Sequence, residues 1–493
     1  MTVFLRGHHF GYELQRVAQM FFFGEKVEIA DGEPEAGQPD GYLFAELDGG
    51  ELRVSGCPCG DKHYRLLDTV QPEDRQNDVE HKFGVMIYRI LSDATGIRPP
   101  WGVLTGIRPV KLFASRMRRG EDDGALRAHF TGGCLMSEER FSLAMQTAKA
   151  QKELLCRSTP DSFSLYVSIP FCPTRCAYCS FVSHSVEKAA KLLPVYVDRL
   201  CEELRYTAEI ASSLGLSLRT VYFGGGTPTT LLPEQLSRIC ETISACFDTK
   251  NVWEYTVEAG RPDTITRKKL EVIRAAGADR ISINPQTLSD SVLGAIGRKH
   301  TTRQTLEAFA LARSCGCDNI NMDLIAGLPT DTPEGFRASV DGILALAPEN
   351  ITVHTLTVKR SAEMTFERAR AELAMVGDMV DYARNAVQAA GYRPYYLYRQ
   401  NGSLSALENV GYAKPGTEGF YNVYIMDETH SIFAVGAGAS TKLCHPVTGE
   451  IKRIYNYKYP YEYVDRFETV KERKLEIPRF YGYDKKKIPE TCL

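Results

Sequence analysis

The densest group of chemically competent side chains in this sequence is Cys172-Pro-Thr-Arg-Cys176-Ala-Tyr-Cys179, with three thiols inside eight residues. It follows LYVSIPF, an apolar and β-branched run expected to be a strand, so the thiols fall on a loop at a strand end. Three thiolates so spaced can wrap one face of a metal cluster. Zinc usually takes four ligands, in pairs from two separate segments, and no second C-x2-C exists in the chain to complete such a site. A [4Fe–4S] cube held by three cysteines instead leaves one iron without a protein ligand. Structural zinc and a chance cluster in a cysteine-rich chain are the competing readings. Cys57-Pro-Cys59 and Cys315-Gly-Cys317 are each a lone C-x-C and are read as non-ligands. The remaining cysteines stand alone and read as buried or incidental thiols.

The segment YVSIPFCPTRCAYC resembles the signature of the radical S-adenosylmethionine (SAM) superfamily, in particular its oxygen-independent coproporphyrinogen III oxidase-like branch. The resemblance implies that one [4Fe–4S] cluster sits on Cys172, Cys176 and Cys179. SAM would chelate the open iron, and one-electron cleavage of its sulfonium would give a 5′-deoxyadenosyl radical. It also implies a cofactor role for Tyr166, which opens the motif, and for Tyr178, which would pack toward the adenine. Gly224-Gly225-Gly226-Thr227 ends the next expected strand, and glycines there let backbone approach a ligand closely. By the same resemblance Gly225, Gly226 and Thr227 meet the methionine amino group. Glu258, Gln286, Arg298 and Asp323 occupy the positions that contact the ribose and amino-acid parts of SAM. Any one of these alone reads as a capping carboxylate or a surface arginine; together they stand in order at successive expected strand ends.

ENVGYAKPGTEGFYNVYIMDETHSIFAVGAGAST resembles the segment that follows the core in coproporphyrinogen dehydrogenases, and LTGIRPVKL in a long N-terminal block points to HemZ-like members. The implied reaction converts two propionates of coproporphyrinogen III to vinyls without oxygen, in haem biosynthesis. The implied partners are this tetrapyrrole and a low-potential electron donor such as flavodoxin or ferredoxin. A substrate with four carboxylates needs fixed cations, because buried carboxylates without partners are costly. Arg261, Lys359, Arg360, Arg399 and Lys414 are the candidates, each with a surface-charge alternative. Cys179 is followed by Ser180-Phe181 rather than by the Cys-x-Cys of the oxidases, as in haem-trafficking relatives; those relatives in turn have His-Asn where this chain has Tyr421-Asn422, so the sequence sits between the subgroups. Two alternatives therefore stay open: a haem-binding chaperone, and a radical SAM enzyme that breaks haem down anaerobically.

These residues must be positioned by a frame. From Ser162 onward, β-branched runs (LYVSIPF, TVYFGGG, EYTVEAG, RISINPQ, NINMDLIAGLP, ITVHTLTV) alternate with amphipathic stretches near Lys188–Ser212, Pro233–Cys246, Thr264–Ala276, Thr302–Ser314 and Glu334–Leu346. Six such units imply parallel strands with right-handed crossovers, and chemistry at their C-terminal ends. The expected fold is α/β: a partial (β/α)6 barrel over 161–390, an N-terminal α+β domain over 1–160 of unknown role, and a mixed α/β segment over 391–493. In the last segment YYLYRQ, FYNVYIMDE and SIFAVGAGAST read as sheet and Tyr461–Arg473 as helix.

The 493 residues carry 43% hydrophobic and 25% charged side chains and a net charge of -3, with no basic excess pointing to nucleic acid. The first 25 residues lack the pattern of a signal peptide, and no apolar run is long enough to span a bilayer. A cytoplasmic location is expected.

Overall fold

The structure, a computed structural model, describes residues 1–22, 25–35, 40–179, 184–356, 366–400 and 407–482, with residues 366–373 described for the backbone only. The chain divides into two compact units. The first comprises Met1–Ala148 with Thr355–Val380 and Leu397–Asn409. Its sheet runs β2-β1-β3-β4-β5, from β1 (Thr2–Arg6), β2 (Glu28–Asp31), β3 (Tyr42–Asp48), β4 (Glu51–Gly56) and β5 (Tyr64–Thr69). The expected hairpin at Asp48–Glu51 is the β3–β4 turn, where Gly49 and Gly50 both adopt positive φ. Helix Gln76–Thr95 buries Val79, Phe83, Met86, Ile87, Ile90 and Leu91 at helical spacing.

The second unit comprises Lys149–His354, Asp381–Tyr396 and Val410–Leu493. Its strands begin with β6 (Ser162–Ile169), β7 (Phe171–Cys172), β8 (His184–Ser185), β9 (Ser217–Gly225), β10 (Glu254–Glu258) and β11 (Arg280–Ser282). They continue with β12 (Ile320–Ala326), β13 (Asn350–Thr355), β14 (Arg393–Arg399), β15 (Glu408–Ala413), β16 (Ser431–Val435), β17 (Ser440–Cys444) and β18 (Ile451–Tyr455). The main sheet is open, in the order β14-β15-β13-β12-β11-β10-β9-β6-β16-β17-β18. Pairing is parallel from β6 through β9, β10 and β11 to β12. Thus six barrel strands, β6 and β9 to β13, lie side by side in sequence order, as a partial (β/α)6 barrel requires. They are buried almost throughout, as strands covered on both faces must be.

The connecting helices begin where the sequence supplies stops and caps. Thr301 and Gln304 form a reciprocal capping box for Thr302–Ser314. Thr332 accepts from the Gly335 amide at the head of Pro333–Leu346.

The C-terminal segment departs from expectation in two places. FYNVYIMDE is a helix, Phe420–Asp427, and not a strand. Its unbroken apolar run has no period to choose between the two. The choice is made by context: buried Glu254 accepts the Tyr421 amide at the helix start (3.0 Å), and Glu428 turns left-handed at its end. SIFAVGAGAST divides into β16, which pairs in parallel with β6, and β17, which turns back antiparallel. Tyr461–Arg473 is two helices, Pro460–Asp465 and Phe467–Lys474, separated at Arg466. The end of ITVHTLTV, with Lys359 and Arg360, lies outside the described residues. Among the described residues no helix is long and apolar enough to cross a membrane.

Candidate functional site

The thiol loop leaves the C-terminal end of β6. All three cysteines are partly exposed and none is in a disulfide. The Cys172 thiol lies 3.4 Å from the Thr227 hydroxyl, which joins the thiol loop to the glycine segment at the end of β9. Further along, the Ala177 amide donates to the Ile296 carbonyl (3.1 Å), and the Cys179 amide to that of Cys176 (3.1 Å). No three His, Cys, Asp or Glu side chains among the described residues converge tightly enough for a single metal ion. Three thiols on a cubane bind three different irons, so they sit farther apart than the ligands of one ion. Three thiolates supplied by one loop are the donor set of a cubane with one open iron.

The glycine segment has a specific steric reason. A Cβ on Gly226 would stand 2.7 Å from the Phe171 carbonyl oxygen and 2.8 Å from that of Ile169, and Gly225 has φ +102°. The Gly226 and Thr227 amides donate to Ile169 and Phe171 (2.8 Å each). These glycines therefore let the chain leading to Cys172 lie directly on the end of β9.

Glu258 closes β10. The Tyr222 hydroxyl donates to its carboxylate at 2.6 Å. Burial pushes the Glu258 carboxyl up to about 7; the Asp323 charge adds to this, and Tyr222 and His354 oppose it. Burial would also raise Asp323, but His354 at 3.6 Å and the Asn321 amide at 2.7 Å hold it below its ordinary range. Two neighbouring carboxyls are thus driven apart, one firmly ionised and one balanced near neutrality. Tyr166, Tyr222 and Tyr421 stack beside them with near-parallel rings, 4.4 Å between the centroids of Tyr222 and Tyr421 and 6.2 Å from Tyr166 to each. Burial raises the pKa of all three hydroxyls.

Beyond β11 the backbone turns through Gln286, a non-glycine residue at φ +71°. Its amide donates to the Asp323 carbonyl and its own carbonyl accepts from Ile325, so the turn is locked to β12. Its side-chain oxygen is buried without a hydrogen-bond partner, as is that of Asn284. Arg298 is 8% exposed, and its Nη1 donates to the carbonyls of Asn284 (2.6 Å) and Gly260 (3.3 Å). Its Nε has no partner, and its charge faces Cys176 and Tyr178. Burial raises the Tyr178 hydroxyl, which Arg298 opposes. Polar atoms buried without partners are costly, and three of them, on Asn284, Gln286 and Arg298, beside a glycine cradle and the thiol loop, fit a polar ligand next to a cluster.

The residues singled out from sequence therefore gather along the C-terminal parts of β6 and β9 to β12, except that Asp323 lies midway along β12 and not at the strand end expected for it. The candidate cations do not. Arg261 is 3% exposed and bonded to Asp263. Arg399 lies in the first unit, where it donates to the Leu104 and Gly106 carbonyls and stacks 5.5 Å over Trp101; burial brings its pKa down to about 10. Lys414 donates to the Ala347 carbonyl (2.6 Å) and faces Glu349 (3.6 Å), at the opposite, N-terminal end of β13. Each is a structural cation. Sequence reasoning missed Tyr222, Asn284 and His354. His354 sits one residue from the end of β13, and only strand register brings it to Asp323 on β12.

A family model described as the radical SAM superfamily matches residues 166–342. The chain is 37% identical over 476 residues, 94% of its own length and 94% of the relative's, to the oxygen-independent coproporphyrinogen-III oxidase-like protein HemZ of Bacillus subtilis (strain 168). It is 30% identical over 334 residues, 65% of this chain and 83% of the relative, to the heme chaperone HemW of the same organism. Similarity of that extent, over 94% of the chain and with the thiol loop inside the matched family region, establishes that the chain belongs to the radical SAM superfamily, among the oxygen-independent coproporphyrinogen-III oxidase-like proteins, with a [4Fe–4S] cluster and SAM as its cofactors.

Proposed function

We propose that this chain oxidatively decarboxylates two propionate groups of coproporphyrinogen III to vinyl groups without oxygen, giving protoporphyrinogen IX. The observation that carries this reading is the extent of the likeness to the HemZ relative, which includes the N-terminal unit, whereas the HemW match leaves about a third of the chain uncovered. When bound, the cluster and SAM supply a one-electron reductive cleavage that generates a 5′-deoxyadenosyl radical. In this reading Cys172, Cys176 and Cys179 hold three of the four irons. Gly225 to Thr227 let the methionine end approach, and the unmet atoms of Gln286 and Arg298 are satisfied by SAM. Asp323, kept ionised, accepts from the ribose hydroxyls. The stacked Tyr166, Tyr222 and Tyr421 form a wall that keeps water from the reacting carbon. Each decarboxylation takes one electron from a low-potential donor and releases one, with carbon dioxide, to an acceptor.

A second reading, a haem chaperone, is favoured by the HemW match and by Ser180-Phe181 after Cys179. One assay separates the two. Reconstituted protein is supplied anaerobically with SAM, reductant and either coproporphyrinogen III or haem, and products are identified by mass. Loss of two carbon dioxide units together with four hydrogens supports the proposal. Unchanged coproporphyrinogen with stoichiometric haem binding overturns it, and a linear tetrapyrrole formed from haem would point to haem breakdown.

A further inference from the structure

Arg261 was a candidate for binding substrate carboxylates, yet its contacts face the thiol loop. Its Nη1 donates to the Thr174 hydroxyl at 3.0 Å and lies 3.4 Å from the Thr174 carbonyl oxygen. Its Nε and Nη2 meet the two oxygens of Asp263 at 3.2 and 3.3 Å, a bidentate brace that fixes the guanidinium plane. Thr174 lies between Cys172 and Cys176, and its hydroxyl donates onward to the Gly297 carbonyl at 2.9 Å. The loop then crosses that same turn closely. The Ala177 amide donates to Ile296, and a Cβ on Gly297 would stand 3.3 Å from the Arg175 carbonyl oxygen. The next residue, Arg298, ties the turn to the carbonyls at the ends of β10 and β11. A continuous chain of hydrogen bonds therefore runs from Asp263 through Arg261 and Thr174 to the 296–298 turn.

We propose that Arg261, braced by Asp263, is a positioning residue that fastens the cluster-binding loop through Thr174 and so sets how firmly the cluster is held. The inference rests on the reading that Cys172, Cys176 and Cys179 are the cluster ligands. Groups that orient metal ligands without touching the metal commonly change metal retention by about 10- to 100-fold when removed. Thr174→Val keeps the shape of the side chain and removes only the hydroxyl that both Arg261 and Gly297 use. Arg261→Gln keeps some donor capacity but loses the brace.

The test uses anaerobically reconstituted full-length protein and follows iron release to a ferrous chelator, with the SAM-induced change in the electron paramagnetic resonance spectrum of the reduced cluster as a second readout. Each variant should release iron about 10-fold faster than wild type and show a weaker SAM-induced change. The double variant should be no worse than the worse single one, because both changes cut the same chain. Wild-type release from both variants, or effects that multiply, would overturn the proposal. If Arg261→Gln fails to fold, Thr174→Val alone decides, since it leaves the buried ion pair intact. Wild-type protein that loads no cluster, or Cys176→Ala protein that loads one normally, would instead sink the ligand assignment, and this inference with it.

Discussion

Glu258 offers the most quantitative test of the site, because its carboxyl is moved from an ordinary value of 4.5 to about 7 by burial. That difference corresponds to about 3 kcal/mol between its two protonation states. The sign follows from proton binding. Between pH 4.5 and 7 the folded chain holds a proton on Glu258 that the unfolded chain has released, so stability falls as pH rises through this window. The contribution is whole below the unfolded value and lost above the folded one. Glu258→Gln, neutral at every pH, should lack this slope. In denaturant unfolding of the cluster-free protein, the stability difference between variant and wild type should therefore shift in the variant's favour by about 3 kcal/mol from pH 4.5 to 8. Asp323, Glu254 and the other carboxyls titrate in both proteins and largely cancel from that difference. A difference independent of pH would refute the burial argument. The same reasoning extends to SAM, whose sulfonium would favour the ionised carboxylate. Binding to the oxidised, cluster-loaded protein should release a proton below pH 7 and weaken about fivefold from pH 7 to pH 6. Calorimetry in two buffers of different ionisation enthalpy measures the proton directly, and affinity flat with pH would remove Glu258 from contact with the cation.

Cys176→Ala should fail to load the cluster or cleave SAM, measured as iron per chain and as 5′-deoxyadenosine formed. Gly226→Ala drives a methyl group into the Ile169 and Phe171 carbonyls, so it should cost about 1–3 kcal/mol in unfolding free energy and lower cluster occupancy. Lys474→Met breaks a buried pair, 3.1 Å from Glu203, whose carboxylate also accepts from Gly436, Asn456 and Tyr463. It leaves a buried charge short of a partner and should destabilise the chain by about 3–5 kcal/mol, seen as a lower denaturant midpoint.

The barrel was legible because its strands are continuous apolar runs parted by helices that carry their own caps, as Thr301 with Gln304 shows. Phe420–Asp427 was not, because its side chains lack any period and a glutamate 167 residues away starts the helix. The cations fail for a related reason: a sequence displays a charge without its partner. Arg399 is matched by carbonyls nearly 300 residues distant, and Arg261 meets Thr174, 87 residues away, besides its neighbour Asp263. His354 depends on strand register at the end of β13, which no local pattern records.

Within the candidate site, unmet bonding marks residues that charge alone does not, although such atoms also occur elsewhere in the chain. Arg261, Arg399 and Lys414 are all cationic and all engaged within the chain. Asn284 Oδ1, Gln286 Oε1 and Arg298 Nε are buried and have no partner among the described residues. A charge can be matched by any carbonyl the fold brings near, and matching it stabilises the fold. A polar atom left buried and unmatched costs about 1–3 kcal/mol, more where it belongs to a charged group such as the Arg298 guanidinium, a penalty the folded chain carries until a ligand or water removes it. Two of these three belong to residues that the family motif had marked, Gln286 and Arg298. The third, Asn284, is marked by structure alone, on the backbone that Arg298 grips.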